Sequence, residues 1–209
     1  AVVDVSASFE SFADALTRRD DIADVNGRQF DLTAVKRLPP TTERNSVFCA
    51  ALNYEAHAEE SQSTVPNHPF IFLKLPRTLI GADDPIAYHT RVTDEIDYEA
   101  ELAAVIGTPA RHVDPNDALS YVAGYTILND TSARDLQMSF DHEGSIDWFS
   151  GKAMQNTTPV GPYVVTDEID DPQSLDIVSR VNGKVMQDDN TEMMVQSVAD
   201  LVSFLSSRV

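Results

Sequence analysis

Two glutamates separated by a single residue are the feature of this sequence that most directly indicates chemistry. Glu99 and Glu101 lie in the run IDYEAELAAVIG, whose composition is typical of a β-strand. Alternate strand residues share one face, about 6.5–7 Å apart, so two ionised carboxylates there repel each other. A bound cation would remove this repulsion, and the pair is therefore a candidate metal site.

Asp130 is the candidate third ligand, because it ends a second apolar run, GYTILND. Three carboxylates suit Mg²⁺, Mn²⁺ or Ca²⁺ rather than zinc, and they leave coordination positions for water or substrate. The alternative is a solvent-facing strand edge in a very acidic protein, and the spacing alone leaves both interpretations open.

A histidine–glutamate pair and two lysines could support proton transfer and charge stabilisation. His57 and Glu60 share one face of a predicted helix in NYEAHAEES, where the carboxylate could orient the imidazole as a general base. Lys74 and Lys152 are two of four lysines in the chain, and either could bind a substrate carboxylate or stabilise an enolate. A solvated helix face and ordinary snorkelling lysines are the alternatives.

Arg134 and Gln137 could contact the distal end of a substrate, because they share a helical face just after Asp130. Arg134 could equally pair with one of the many acidic side chains. No serine lies in a G-x-S-x-G elbow, so a Ser-His-Asp hydrolase is unsupported. A Gly-rich phosphate-binding pattern is also missing from the sequence.

The elements that must position these residues are short. A mixed, β-rich α+β fold is predicted, because strand patterns alternate irregularly with short helices rather than in βαβ units. Pro39-Pro40 separates a small N-terminal appendage, residues 1–40, from a larger domain over 47–209. The predicted elements are a helix over 8–18, a hairpin at Asn26-Gly27, strands over 70–75, 96–107 and 124–130, a helix from Asp114 to Tyr121, a helix after Thr131 or Ser132, a second hairpin at Asn182-Gly183 and a helix over 192–207.

The sequence is strongly acidic, with 15 basic and 34 acidic residues and a net charge of −19. This charge repels phosphates and anionic lipids, so neither nucleic acid nor a membrane is an expected partner. Scattered acidic residues with few lysines favour adaptation to high salt over an acidic interaction surface. A cytoplasmic protein is predicted, since we find no long apolar run, no secretory signal and a single cysteine, Cys49.

Several motifs occur together in one order along the chain: NYEAHAEE, PFIFLKLP, IDYEAELAAVIG, VAGYTILNDTSARDLQ, GKAMQNTTPVGP and VNGKVMQ. This arrangement resembles the fumarylacetoacetate hydrolase family, specifically its shorter branch of 2-oxo acid hydrolases, decarboxylases and isomerases. The resemblance covers about residues 47–207, and the E-x-E pair followed by G-Y-x-x-x-N-D is its most specific part.

The resemblance implies a mixed β-roll with short helices, assembled as a homodimer and using a divalent cation, usually Mg²⁺ and sometimes Mn²⁺ or Ca²⁺. It also implies that the histidine–glutamate dyad sits on a mobile lid helix that closes over substrate. The implied roles are metal binding for Glu99, Glu101 and Asp130, catalysis for His57, Glu60 and Lys152, and substrate binding for Arg134, Gln137 and Lys74.

The function that the resemblance implies is metal-dependent chemistry on a small 2-oxo or 2-hydroxy-dienoate diacid, of the isomerase or decarboxylase type found in aromatic catabolism. Acylpyruvate hydrolysis, oxaloacetate decarboxylation and a non-catalytic ligand-binding role are the alternatives. The sequence departs from the family pattern at Gln155, where G-K-x-x-D has Asp, and in stopping at Val209, before the expected Gly-Thr-Pro loop. We therefore expect the catalytic domain to lack its C-terminal part.

Overall fold

A four-stranded mixed sheet carries Glu101 and leads directly into Asp130 in the computed structural model, which describes residues 1–41, 45–61, 63–139 and 145–209. Its strand order is β5-β10-β8-β7, with β10 parallel to β5 and antiparallel to β8. Four two-stranded pairs, β1-β2, β3-β4, β6-β9 and β11-β12, complete the β structure of these residues. The predicted sheet-rich α+β class is confirmed.

The strands are β1 (Val2–Val3), β2 (Gln29–Phe30), β3 (Val47–Ala51), β4 (Phe70–Lys74), β5 (Leu79–Gly81), β6 (Ile96–Asp97), β7 (Ala100–Ile106), β8 (Val122–Asn129), β9 (Ser132–Ala133), β10 (Thr158–Val160), β11 (Asp176–Val181) and β12 (Lys184–Asn190). The α-helices are α1 (Phe12–Thr17), α2 (Arg19–Ile22), α3 (Glu55–Glu60), α4 (Arg134–Gln137), α5 (Trp148–Lys152) and α6 (Val198–Ser206), and 3₁₀ turns cover Leu32–Ala34, Pro76–Thr78, Ala118–Tyr121 and Thr191–Met193. None of the helices in the described ranges is long and apolar enough to cross a membrane.

The predicted continuous strand over 96–107 is wrong near its start, where it is interrupted at Tyr98 and Glu99. The backbone N–H of Tyr98 donates to Asp97 Oδ1 at 2.9 Å, and that of Glu99 donates to Asn129 Oδ1 at 3.0 Å. These side-chain acceptors replace strand partners, so β6 ends before Glu99 and β7 begins after it. Glu99 therefore lies in a gap between two strands.

One of the two predicted hairpins forms. Asn182 and Gly183 join β11 to β12 with φ values of 52° and 80°, as a tight turn of this sequence requires. The hairpin at Asn26-Gly27 is wrong: the residues that would form its first strand, 21–25, form the end of α2 and a turn after it, and β2 pairs with β1 instead.

The helices are shorter than predicted, because local caps define their starts. Ser197 and Asp200 form a reciprocal capping box, so α6 starts at Val198, and the preceding residues 191–193 form a 3₁₀ turn instead. Ser11 similarly caps α1. The segment after Asp114 forms only the 3₁₀ turn ending at Tyr121.

The apolar face of α6 packs against the sheet, and this contact forms the main buried cluster of the described residues. Its buried members are Val113, Ala118, Tyr125, Val198 and Val202. Because Tyr125 lies on β8, the cluster supports the face of β7 and β8 opposite to the one that carries Glu101. The core thus fixes the two strands that frame the acidic residues.

The predicted N-terminal appendage is tied to the larger domain by polar contacts. Arg37 pairs with Asp83 at 2.6 Å, and Thr17 Oγ1 donates to the carbonyl of Gly107 at 3.0 Å. The boundary near residue 40 stays a prediction.

Truncating the core residue Val202 tests this packing. We expect Val202→Ala to lower the free energy of unfolding by about 1–3 kcal/mol, because two buried methyl groups are lost and a cavity remains. Denaturant unfolding measures the change, with the half-exposed Val185→Ala as the matched control, expected within about 0.5 kcal/mol of the original chain. Equal losses in both variants would contradict the assignment of Val202 to the core.

Candidate active site

A buried lysine joins two of the predicted metal ligands. Lys152 is the last residue of α5, whose first turn is capped by Asp147 accepting from the Ser150 backbone N–H at 2.9 Å. Its Nζ donates to Glu99 Oε2 at 2.6 Å and to Asp130 Oδ2 at 2.7 Å. Burial acts to lower the pKa of the Lys152 amine, but the carboxylates of Asp130 and Glu99 outweigh it and raise the pKa. Lys152 is therefore held as a cation.

Lys74 approaches the same aspartate from β4. Its side chain is 0% exposed, its Nζ lies 2.7 Å from Asp130 Oδ1, and it donates to the carbonyl of Thr131 at 3.0 Å. Burial lowers the pKa of Lys74 against the opposing effect of Asp130. The Lys74 ammonium is therefore bonded to Asp130 and to the Thr131 carbonyl. A direct contact between Lys74 and substrate stays a prediction.

Glu101 lies beside Glu99 and Asp130 but has no ion pair or hydrogen bond through its carboxylate within the described ranges. Burial raises the pKa of Glu101 to about 8, with the negative charges of Glu99 and Asp130 adding to the shift and Lys152 opposing it. Glu99 and Asp130 each pair with Lys152, whereas no cation of the described residues pairs with Glu101.

Arg134 and Gln137 lie next to this cluster, as the sequence predicts, but they are bonded to protein groups. The guanidinium of Arg134 contacts Asp97 Oδ2 at 2.9 Å and Glu99 Oε1 at 2.7 Å, and it donates to Gln137 Oε1 at 2.9 Å. Gly151 lies inside α5 rather than in a turn, and a Cβ there would sit 2.6 Å from Gln137 Cβ. The glycine thus allows α4 and α5 to pack closely, with Gln137 against Gly151, the residue before Lys152.

His57 and Glu60 lie on α3, where both side chains are exposed. In the described part of the chain, the imidazole and the Glu60 carboxylate make no hydrogen bond to each other or to the carboxylate cluster. The helix is anchored at its start, because Asn53 exchanges hydrogen bonds with Gln196, its Nδ2 donating at 3.0 Å and its Oδ1 accepting at 2.9 Å. The dyad stays a prediction.

The donor set suits a hard divalent cation, although no three His, Cys, Asp or Glu side chains among the described residues stand close enough to hold a metal ion as they are. Lys152 Nζ lies between Glu99 and Asp130, so a cation already bridges these two carboxylates. Glu101 supplies a third carboxylate with its charge unmatched. An all-oxygen set of this kind fits Mg²⁺, Mn²⁺ or Ca²⁺.

Sequence reasoning missed four residues that contact the cluster. Asp97 pairs with Arg134, and Ser132 Oγ contacts Glu99 Oε1 at 3.2 Å. Phe72 and Trp148 stack on each other beside Lys152. Strand alternation could have found Phe72, which shares a face of β4 with Lys74, and helical spacing could have found Trp148, four residues before Lys152. Gln155, which departs from the family pattern, is exposed, and its carbonyl contacts His89 Nε2 at 2.9 Å.

Comparison with known families agrees with this arrangement. Residues 46–209 match the family model described as fumarylacetoacetate (FAA) hydrolase C-terminal. The chain belongs to the fumarylacetoacetate hydrolase family, a family of enzymes, and the resemblance seen in the sequence is confirmed.

Three relatives illustrate the family. The human protein named oxaloacetate tautomerase FAHD2A, mitochondrial, is 39% identical over 173 residues, which is 82% of this chain and 54% of that protein. A fumarylacetoacetate hydrolase from Exiguobacterium antarcticum has a TM-score of 0.80 and 32% identity, covering 98% of this chain and 73% of that one. A 2-hydroxyhepta-2,4-diene-1,7-dioate isomerase from Mycobacterium marinum has a TM-score of 0.75 and 35% identity, covering 88% and 66%. The chain thus spans about half the length of the human relative.

Breaking the buried Lys74–Asp130 pair tests the electrostatic balance of the site. We expect Lys74→Met to lower the free energy of unfolding by about 3–5 kcal/mol, because it leaves negative charge buried with one cation fewer. Denaturant unfolding in EDTA measures the loss, and the exposed Arg77→Met serves as the control for removal of a positive charge.

The double variant Lys74→Met/Asp130→Asn completes the comparison. It is expected to lose less than the sum of the two single variants, because each change relieves the charge that the other leaves unpaired. Additive losses in the free energy of unfolding would contradict the ion pair, because they would show that Lys74 and Asp130 stabilise the fold independently.

Proposed function

We propose that this chain forms the catalytic part of a divalent-metal-dependent enzyme that isomerises a small 2-oxo or 2-hydroxy-dienoate diacid through an enolate. The observation that carries the proposal is the buried Lys152 ammonium, held by Glu99 and Asp130 next to the unpaired carboxylate of Glu101. Decarboxylation of a 2-oxo diacid passes through the same kind of enolate and belongs to the same proposal.

The cation would be held by Glu99, Glu101 and Asp130, and when bound it would supply Lewis-acid polarisation of the 2-oxo group. Lys152 is a fixed positive charge in a buried setting, where it can stabilise the oxygen of a developing enolate more strongly than it could in water. Arg134, partly exposed and paired with Asp97 and Glu99 at the edge of the cluster, is the cation that we expect to bind a second carboxylate of a diacid.

The relatives support this reaction class without specifying the substrate. The human relative is named a tautomerase of oxaloacetate, and the mycobacterial relative is named an isomerase of a dienoate diacid. Both names describe a double bond or proton shift next to a 2-oxo or 2-hydroxy acid. Such a shift requires an enolate or enol but no attacking water.

Hydrolysis of an acylpyruvate is the second candidate, and it has one specific support. A relative of 32% identity is named a fumarylacetoacetate hydrolase, and this chain carries His57 and Glu60 one helical turn apart on α3. Hydrolysis needs this dyad to activate water. In the structure the two side chains are exposed and make no hydrogen bond to each other. The isomerase proposal does not depend on them, because it rests on groups that already meet, Lys152, Glu99 and Asp130.

Turnover of a panel of 2-oxo diacids, measured in high-salt buffer, tests the proposal. The panel contains oxaloacetate, a 2-hydroxy-dienoate diacid and an acylpyruvate, each with Mg²⁺, Mn²⁺ or EDTA. We expect conversion of the first two to require the cation and to fall about 10²–10³-fold in Glu99→Gln/Glu101→Gln, because the charges that hold the cation are lost.

The exposed acid Glu168 provides the matched control. Glu168→Gln removes a carboxylate that is not part of the cluster, so it should leave turnover unchanged. Turnover that survives both EDTA and the double variant would overturn the metal-dependent proposal. Metal and ligand binding without turnover of any substrate in the panel would instead favour the non-catalytic role.

His57→Ala separates isomerisation from hydrolysis. We expect this variant to lose any hydrolysis of the acylpyruvate by about 10²–10⁴-fold, because the family resemblance assigns the activation of water to His57 and Glu60. Isomerisation should fall much less, because Lys152 and the carboxylates remain. The two rates are followed by absorbance on the same preparations, and equal losses in both reactions would contradict the assignment of His57 to water activation.

A further inference from the structure

Two aromatic rings form a second set of contacts to the Lys152 ammonium. The rings of Phe72 and Trp148 stack with centroids 4.6 Å apart and an interplanar angle of 15°, and Phe70 meets Trp148 edge-on at 5.6 Å. Lys152 Nζ lies 5.0 Å from the centroid of Phe72 and 5.9 Å from that of Trp148. Both distances are within the range in which a ring face attracts a cation, and the attraction is stronger where water is excluded.

The aromatic pair also links the two elements that supply the lysines. Trp148 and Lys152 are four residues apart on α5 and share a helical face, while Phe72 and Lys74 share a face of β4. A stack between Phe72 and Trp148 therefore holds α5 against β4 at the level of the carboxylate cluster. None of the roles assigned above to the site uses these rings.

The closest partners of the ammonium are carboxylates that a metal ion would also use. Lys152 contacts Glu99 and Asp130, and a cation bound by those carboxylates would draw their oxygens away from the amine. The ring faces are partners for which a hard cation does not compete, because it prefers oxygen ligands. They would keep the ammonium in place when its contacts to the carboxylates weaken.

We propose that the Phe72–Trp148 stack is a positioning element that holds the Lys152 ammonium at the carboxylate cluster. Trp148 and Phe72 act through Lys152 and touch no reacting atom. The activity part of this inference rests on the proposed function, whereas the stability and fluorescence parts below do not.

A double-mutant cycle in EDTA tests the contact without metal or substrate. The variants are Trp148→Leu, Lys152→Met and their combination. We expect the change in the unfolding equilibrium constant of the double variant to differ by about three- to tenfold from the product of the two single changes, because each side chain stabilises the other. Additivity would overturn the proposal. Phe149→Leu, which removes a neighbouring ring that is 67% exposed, should show no such coupling to Lys152→Met.

Fluorescence provides a direct signal, because Trp148 is the one tryptophan in the sequence. We expect Mg²⁺ alone to change the emission of the unmodified chain, since the ion alters the contacts of the ammonium beside the indole. The change should be absent from Lys152→Met. A change of the same size in both would overturn the proposal.

Turnover then tests whether Trp148 positions Lys152 for the reaction or only stabilises the fold. Trp148→Leu should lower kcat about tenfold with KM changed less than about twofold, while Trp148→Phe, which keeps a ring face, should recover most of kcat. Phe149→Leu should leave both constants unchanged. Equal losses in the Leu and Phe variants would contradict the proposal. If the unmodified chain turns over no 2-oxo diacid, the proposed function fails, and the stability cycle still decides whether Trp148 positions Lys152.

Discussion

The site depends on a cluster of buried and partly exposed carboxylates, three of which pair with cations of the protein. Asp97, Glu99, Glu101 and Asp130 face three cations, Lys74, Lys152 and Arg134, and the one carboxylate without a partner in the described ranges is Glu101. An ionised Glu101 would add an unmatched negative charge, and the rise of its pKa to about 8 reflects the cost of that charge. A divalent cation at these carboxylates would favour the ionised form of Glu101.

The fold supplies this cluster from separate parts of the chain. The break between β6 and β7 places Glu99 beside Asp130, the end of β8 presents Asp130, and β4 and α5 each add a lysine. The packing of α6 on the opposite face of β7 and β8 supports the strands from behind. Because the charged residues belong to different elements, tertiary packing rather than local structure sets their distances.

The sequence predicted most of the candidate site and less of its geometry. Residue types and spacing marked Glu99, Glu101 and Asp130 as candidate ligands but left a solvent-facing strand edge open as an alternative. The resemblance to the family added the roles of these residues and of Lys152. The strand break at Tyr98 could not be predicted, since it depends on the side chain of Asn129, which is distant in sequence. The Asn26-Gly27 hairpin failed for a similar reason, because tertiary pairing with β1 replaced the local partner. The ion pairs of Lys74 and Lys152 with Asp130 could not be predicted either, because they depend on how β4 and α5 pack.

Calorimetric titration of Mg²⁺ and Mn²⁺ into the chain tests the central claim most directly, because it measures the binding of the cation itself. The unmodified chain should bind one ion, and Glu101→Gln should bind it at least about tenfold more weakly, since a ligand charge is lost. Glu168→Gln should bind as the unmodified chain does. The absence of binding, or an affinity that Glu101→Gln leaves unchanged, would contradict the account of an acidic cluster built around a divalent cation.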